Sequence, residues 1–443
     1  MSSPANPALR RVPLPEGTLP VGLALLVAGT ATYAFFRVGT LALGGKEEFA
    51  PIVAMWFATF SLAPGFFLPL EQELGRALSD RKANGHGGLP VVRRVVVLGG
   101  VITSVVLIVI LLASPLITSN YFDGDWWMLA ALATAFVAYA PAHLARGICA
   151  GNGRFRAYAV VMGSDGVIRI AACIVLATIG INSPGPYGFA VALSPLVAVI
   201  AVGYRGQLRT EPGPEAVWSE VTQNLGWLLI GTLFAAGLLN AGPVAANLLS
   251  GNSPAEKEAI VRFGYGVLLA RIPLFMFQAV QAALLPRLSR LAARGELDEF
   301  RIGLRRLMHL VVAVGVVGTA GAFLLGPFVI EKVYDAELGG RTLAMLALSS
   351  AVYMAGLATA QAVIALRGHA LVALGWGVAV VTFVLGTWLS SDELFRRIEI
   401  GLVISSAAAL CCFAAALRHK LRTGVEPTSG SVMDAITDMP FES

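Results

Sequence analysis

A few polar side chains of this 443-residue chain stand inside long apolar stretches, where polarity is most costly. An ionisable group in hydrocarbon costs at least roughly 2.5 to 3.5 kcal/mol on insertion scales, so those that persist face a cavity, a partner or a substrate path. Arg37 lies about six residues, or ~9 Å, from the outer end of its apolar run. Tyr33 and Thr30 stand one and two turns back on the same face. The guanidinium could serve an anion there, or could snorkel to the outer headgroups along its own stem. Arg271 sits nine residues, about 14 Å, from an outer end near Arg262, too deep for snorkelling, and requires a partner. Gln278 and Gln281 extend a polar stripe along that face. Asn240 and Asn247 on the preceding run flank Pro243, which kinks a helix and frees a carbonyl. Helix-to-helix hydrogen bonding is the alternative role for these amides. Asp165 and Arg169, four apart, face one another on one helix side and form either a self-neutralising pair or an ion or proton site at Asp165.

Other chemistries find no pattern to carry them. His143, His309 and His369 are scattered without metal-ligand spacing, so no metal or other cofactor is expected. Cys149, Cys173, Cys411 and Cys412 stand in or at the ends of apolar runs and read as core residues rather than a disulfide framework. The chain has no Gly-x-x-x-x-Gly-Lys-Ser/Thr loop, so a transporter built from it would be a secondary one. No paired carboxylates or Ser/His combination marks a catalytic residue, and the outer loops are short, so an enzyme is not expected. Arg146, Arg154 and Arg156 read as topology charges of a cytoplasmic loop.

The elements that must position these groups are membrane helices. The chain is 56% hydrophobic and 13% charged, with a mean hydropathy of +0.75; a soluble domain is roughly 25% charged. The net charge of +5 is a topology signal in such a chain rather than a nucleic-acid footprint. Apolar runs at about 19–43, 49–70, 95–118, 126–149, 157–180, 185–204, 225–248, 262–286, 307–330, 342–366, 370–390 and 398–417 predict twelve spans. They are long and continuously apolar, as helices are and barrel strands are not.

Of the 32 Lys and Arg, 22 fall on the tails and even-numbered loops and six on the odd-numbered loops, which places both termini in the cytoplasm. Reading the first run as a cleaved signal peptide would break that parity. The chain also repeats itself. Leu68-Pro69 before Glu71 to Arg76 matches Leu285-Pro286 before Arg287 to Arg290, and Gly151-Asn152-Gly153-Arg154 matches Leu366-Arg367-Gly368-His369, at offsets of 217 and 215. The fold class expected is therefore all-α and integral to the membrane, with two pseudo-symmetric six-helix halves around a central cavity. The halves would be 19–204 and 225–417, with an N-tail at 1–18, a cytoplasmic linker at 205–224 and a disordered C-tail at 418–443.

Pro69 to Arg76, Arg146-Gly147 with Gly151 to Phe155, and Leu285 to Ser289 resemble the polysaccharide-flippase branch of the multidrug, oligosaccharidyl-lipid and polysaccharide exporter superfamily. The resemblance covers nearly the whole chain outside the C-tail. It implies an inner-membrane flippase for a polyprenyl-diphosphate-linked oligosaccharide of the cell envelope, with envelope glycosyltransferases or a polymerase as partners. Lipid II flippases of that superfamily hold the diphosphate with arginines of the first and eighth helices, a role the resemblance carries onto Arg37 and Arg271. Twelve rather than fourteen helices, and Val38 where an acidic residue is expected, depart from the lipid II pattern. Arginine offers bidentate contacts and stays protonated in a low dielectric, while Tyr33, Thr30, Asn240, Asn247, Gln278 and Gln281 could hydrogen-bond sugars. A multidrug exporter of the same superfamily and an intramembrane glycosyltransferase or ligase are the competing readings.

Overall fold

The computed structural model describes residues 18–222, 225–251, 253–274, 277, 288, 291–292, 295–366 and 368–423. Among the described residues twelve long helices follow one another: α1 (Thr18–Ala42), α2 (Lys46–Ala83), α3 (Leu89–Leu112), α4 (Trp126–Gly151), α5 (Phe155–Thr178), α6 (Pro184–Tyr204), α7 (Leu225–Leu249), α8 (Pro254–Ala270), α9 (Leu297–Leu324), α10 (Gly340–Ala365), α11 (His369–Leu389) and α12 (Leu394–Thr423). Short helices Ser114–Tyr121, Ser219–Thr222 and Gly326–Tyr334 lie between them. Eleven of the described helices are long and apolar enough to cross a membrane; α8, with 17 residues described, falls short of that length. In hydrocarbon every backbone group must find its partner within the chain, and a helix does this segment by segment.

The polarity of the exterior is inverted relative to a soluble domain. Val96, Val97, Val101, Val105 and Ile108 of α3 are exposed, and so are Val312, Val316 and Val317 of α9. Buried polar groups lie inside: Glu71, His143, Arg169, Asn240 and Arg271.

Two six-helix halves repeat one packing scheme. In the first, α1 packs on α5, α2 on α4, α3 on α4, and α6 on both α4 and α5. The second has α7 on α11, α8 on α10, α9 on α10, and α12 on both α10 and α11. Across the seam α2 lies along α7 and crosses α8. Thr232 donates to the Gly65 carbonyl at 2.9 Å, and Asn240 to that of Phe60 at 2.9 Å.

Several boundaries differ from the sequence expectation. Helix α2 does not stop near Leu70 but runs 38 residues with Pro51, Pro64 and Pro69 inside it. Its polar end stays helical because Arg76 pairs with Glu73 and Asp80, both at 2.8 Å. Helix α8 begins at Pro254, eight residues before Arg262, where Ser253 and Glu256 form a capping box. Helix α12 continues to Thr423, so the polar tail begins beyond 417. The C-terminal ends of the third and ninth runs are separate short helices, each entered through a proline.

The linker at 205–224 is fastened to α2. Arg81 donates to the Glu220 carboxylate at 2.8 and 3.1 Å and to the carbonyls of Pro214 at 2.8 Å, Glu215 at 3.1 Å and Gly87 at 3.1 Å. Leu89 N donates to the Glu211 carbonyl at 3.0 Å. One arginine thus satisfies the polar backbone of a turn that would otherwise need water.

Candidate functional site at the seam between the halves

Helix α8 breaks in the middle of its expected course. Pro273 has no N–H to give the Leu269 carbonyl, and Arg271 sits at the end of the regular helix with its own N–H on the Leu268 carbonyl. Tyr33 of α1 crosses the seam and donates to that same Leu268 oxygen at 2.8 Å. Arg271 is 7% exposed. It donates to Asn240 Oδ1 at 2.8 Å and to the Leu239 carbonyl, and lies 5.6 Å from the centre of the Phe57 ring. Tyr33 and Tyr353 lie within its electrostatic reach. Beside it, toward α10 and α12, is a cavity of about 30 Å³ lined by Tyr353, Ser349, Ser350 and Ser406. That is room for about one water, not for a sugar.

Arg37 is half-buried on α1 and makes no hydrogen bond among the described residues. Its neighbours are fixed: Phe36 packs edge-on to Tyr265, and Thr40 Oγ1 lies 2.5 Å from the Tyr265 hydroxyl. Arg37 therefore stands at the level of Tyr265, and Arg271, six residues along α8, lies about 9 Å deeper at 1.5 Å per residue. The two arginines face the same seam at different depths and do not touch. Measured from Pro254, Arg271 is about 25 Å along its helix, whose first eight residues, with Glu256, Lys257 and Glu258, precede the apolar run.

The other expected residues divide. Asn240 grips both Arg271 and α2, and Asn247 donates to the Tyr121 carbonyl at 3.1 Å, so both amides make helix-to-helix bonds. Thr30 is exposed on α1. Gln278 and Gln281 lie outside the described residues.

Asp165 and Arg169 form an ion pair at 2.8 Å within α5. Arg169 is 3% exposed and lies flat over the Trp56 ring of α2, 4.5 Å from its centre, with Phe60 at 5.8 Å. Arg169 Nε and Nη1, Asp165 Oδ1 and the Tyr139 hydroxyl have no hydrogen-bond partner among the described residues. Buried donors and acceptors left open in this way mark a place where water or an ion completes the shell.

Sequence reasoning missed a buried cluster between the polar end of α2 and the C-terminal part of α4. Glu71 Oε2 accepts from Arg146 Nε at 2.9 Å and Nη2 at 2.7 Å, and lies 2.9 Å from His143 Nδ1. Tyr158 donates to Oε1 at 2.9 Å. Arg146 is therefore not a loop charge: α2 and α4 enclose it because Gly147 lets the two backbones meet. A Cβ on Gly147 would lie 2.8 Å from the Glu71 carbonyl oxygen. The signal available in the sequence was the polarity of Glu71 at a helical spacing from Phe67 and Leu74, which was read as the start of a loop. Among the described residues no group of three His, Cys, Asp or Glu is placed to hold a metal ion.

No protein-family model matches the chain. Two curated relatives, the uncharacterized proteins Rv1510 and MT1558/MT1560 of Mycobacterium tuberculosis strains H37Rv and CDC 1551, are each 26% identical over 437 residues, covering 92% of this chain and 94% of their own. Among solved structures, an inward-facing multidrug resistance MATE family transporter of the MOP superfamily superposes with a TM-score of 0.70 at 14% identity, covering 92% of this chain and 100% of that one. An outward-facing form gives 0.67 at 13% identity, with 93% and 97% covered. The Vibrio cholerae MATE transporter VcmN in its bent form gives 0.59 at 16% identity, with 91% and 98% covered. The fold of this chain is thus the all-helical fold of those transporters over 91 to 93% of its length.

Proposed function

We propose that this protein is a secondary transporter that moves a polyprenyl-diphosphate-linked oligosaccharide from the cytoplasmic to the outer leaflet by alternating access between its halves. The observation that carries the reading is the pair of arginines on the seam, Arg37 and Arg271, at different depths along one path. A diphosphate is the charged part of such a lipid and must cross a low-dielectric layer, where a guanidinium remains protonated and offers a planar fork. Arg37, without a hydrogen bond among the described residues, is ready to take a phosphate near the outer end. Arg271 is already held by Asn240 and the Leu239 carbonyl, which fixes its orientation for a cargo deeper in. Tyr33 lies between the two levels. The Asp165–Arg169 pair, with its open donors and acceptors, is the coupling site of this reading.

A multidrug exporter is the second reading, favoured by the solved structures of this fold whose names carry that activity. The two readings make opposite demands on charge. An arginine-lined seam repels organic cations and attracts phosphates.

Arg37→Ala and Arg271→Ala, each inserted at normal levels, should fail to support export of a diphosphate-linked lipid oligosaccharide into the outer leaflet of proteoliposomes. Loss of one buried charge-assisted contact corresponds to about 2 kcal/mol, roughly thirtyfold in affinity. Arg→Lys at either site should retain part of the activity, because it keeps the charge and loses the fork. Full transport by both alanine variants, or wild-type transport of a cationic dye in place of the lipid, would overturn the proposal.

A further inference from the structure

The outer face carries the same contact twice. Lys46, the first residue of α2, donates from Nζ to the Asp335 carbonyl oxygen at 2.6 Å. Lys257, in the first turn of α8, has its Nζ 3.1 Å from an Asp123 carboxylate oxygen. Each lysine belongs to one half and reaches an aspartate of the other. The lysines are 211 residues apart and the aspartates 212. Each aspartate follows one of the short helices Ser114–Tyr121 and Gly326–Tyr334, whose entry prolines, Pro115 and Pro327, are also 212 apart. Among the described non-glycine residues, Asp123 and Asp335 are the two with positive φ, 52° and 50°. Aspartate tolerates this left-handed conformation better than most side chains, and the turn so made carries each aspartate to the start of the other half's helix.

Beneath these contacts the seam is shut by rings. Tyr334 stacks on Tyr265 with centres 4.1 Å apart and planes at 10°, and Tyr265 in turn holds Thr40 of α1. On the other side of the twofold, Asn247 of α7 holds the Tyr121 carbonyl.

We propose that Lys46–Asp335 and Lys257–Asp123 are a twofold-related pair of latches on the outer mouth, and that both must release before the seam opens outward. The consequence for transport rests on the alternating-access reading; the latches themselves do not. Both sites are partly exposed, with Asp123 38% and Lys257 23% accessible, so each contact is weak and easily reversed. They differ in one respect. Lys257 meets a carboxylate, whose attraction salt screens, whereas Lys46 meets a carbonyl dipole. Raising ionic strength therefore loosens one latch and leaves the other.

The test reads the position of the gate without transport. Thr40→Cys is placed in a background lacking Cys149, Cys173, Cys411 and Cys412, and its reaction with a membrane-impermeant maleimide is timed from the outer side in proteoliposomes. Thr40 is 6% exposed and lies about 12 Å inward of Lys257, so it reacts only when the seam parts. Lys46→Met, Lys257→Met and Asp123→Asn should each speed labelling by about threefold, and the two lysine changes together by about tenfold, since distant sites add in free energy. Asparagine keeps the left-handed turn, so Asp123→Asn tests the charge alone. In the reporter with both latches intact, raising salt should speed labelling; in Lys257→Met that dependence should vanish, and in Lys46→Met it should persist. Labelling that ignores all three substitutions and salt would overturn the latches, even if the protein transports. Labelling that follows the prediction in a protein that moves no diphosphate lipid would leave the latches standing and remove the cargo.

Discussion

The buried Glu71 cluster allows its contribution to be worked out from geometry. Glu71→Gln removes the negative charge while keeping the volume. Oε2 at present takes two guanidinium bonds from Arg146 and faces His143 Nδ1, all within 2.9 Å. Arg146 is 15% exposed and Glu71 7%, so the arginine would be left as a nearly enclosed, uncompensated charge. Breaking one member of such a pair costs about 3 to 5 kcal/mol, whereas replacing both partners by neutral groups is often close to harmless. The Tyr158 bond to Oε1, a neutral donor to a retained oxygen, should survive the change. The assay is a double-mutant cycle in mixed micelles, with SDS-driven unfolding followed by tryptophan fluorescence. Glu71→Gln and Arg146→Gln should each destabilise by about 3 kcal/mol, and the double variant by no more than either, a coupling of at least about 3 kcal/mol. Single variants within about 0.5 kcal/mol of the parent, or additive effects, would refute the reasoning and return Arg146 to the status of a loop charge.

Asp165→Asn should lower thermal stability by leaving Arg169 unpaired, and adding Arg169→Gln should recover part of the loss; a normally stable Asp165→Asn protein that transports without its ion dependence assigns the pair to coupling instead. Topology is tested by single cysteines at Ser79 and Ala255, of which only Ala255→Cys should label from outside; labelling of Ser79→Cys from that side would reverse the charge-based orientation.

What the sequence made legible was set by hydropathy. The twelve apolar runs correspond in order to α1 through α12 because lipid-facing helices must be apolar whether or not their partners are known. The offset near 215 anticipated a packing scheme that repeats in two halves. The structure sharpens that offset to 211 and 212 at residues that share an environment, Lys46 with Lys257 and Asp123 with Asp335. Polar helix continued past the apolar stretch was not legible. Glu71, Glu73, Arg76 and Arg81 look like loop residues until their partners on α4 and the linker are placed beside them. The start of α8 was not legible for the same reason: the helix begins at Pro254, eight residues before the apolar run. The spacing of Asp165 and Arg169 allowed an ion pair, and the contact forms because its two members lie on one helix and need no tertiary information.

The fastening of the linker by Arg81 bears on where the molecule can bend. A connection of twenty residues suggests a slack tether, yet the chain is held to α2 as far as Glu220, and Val221 is buried. The start of the second half is thereby tied to the first through one buried arginine. If the proposed alternating access occurs, the 25-residue α7 would swing from an anchored end. A turn of about 15° there would sweep the far end of a helix about 37 Å long through roughly 10 Å. That travel is several times the reach of a hydrogen bond, so a modest swing from a fastened end would part every contact at the other.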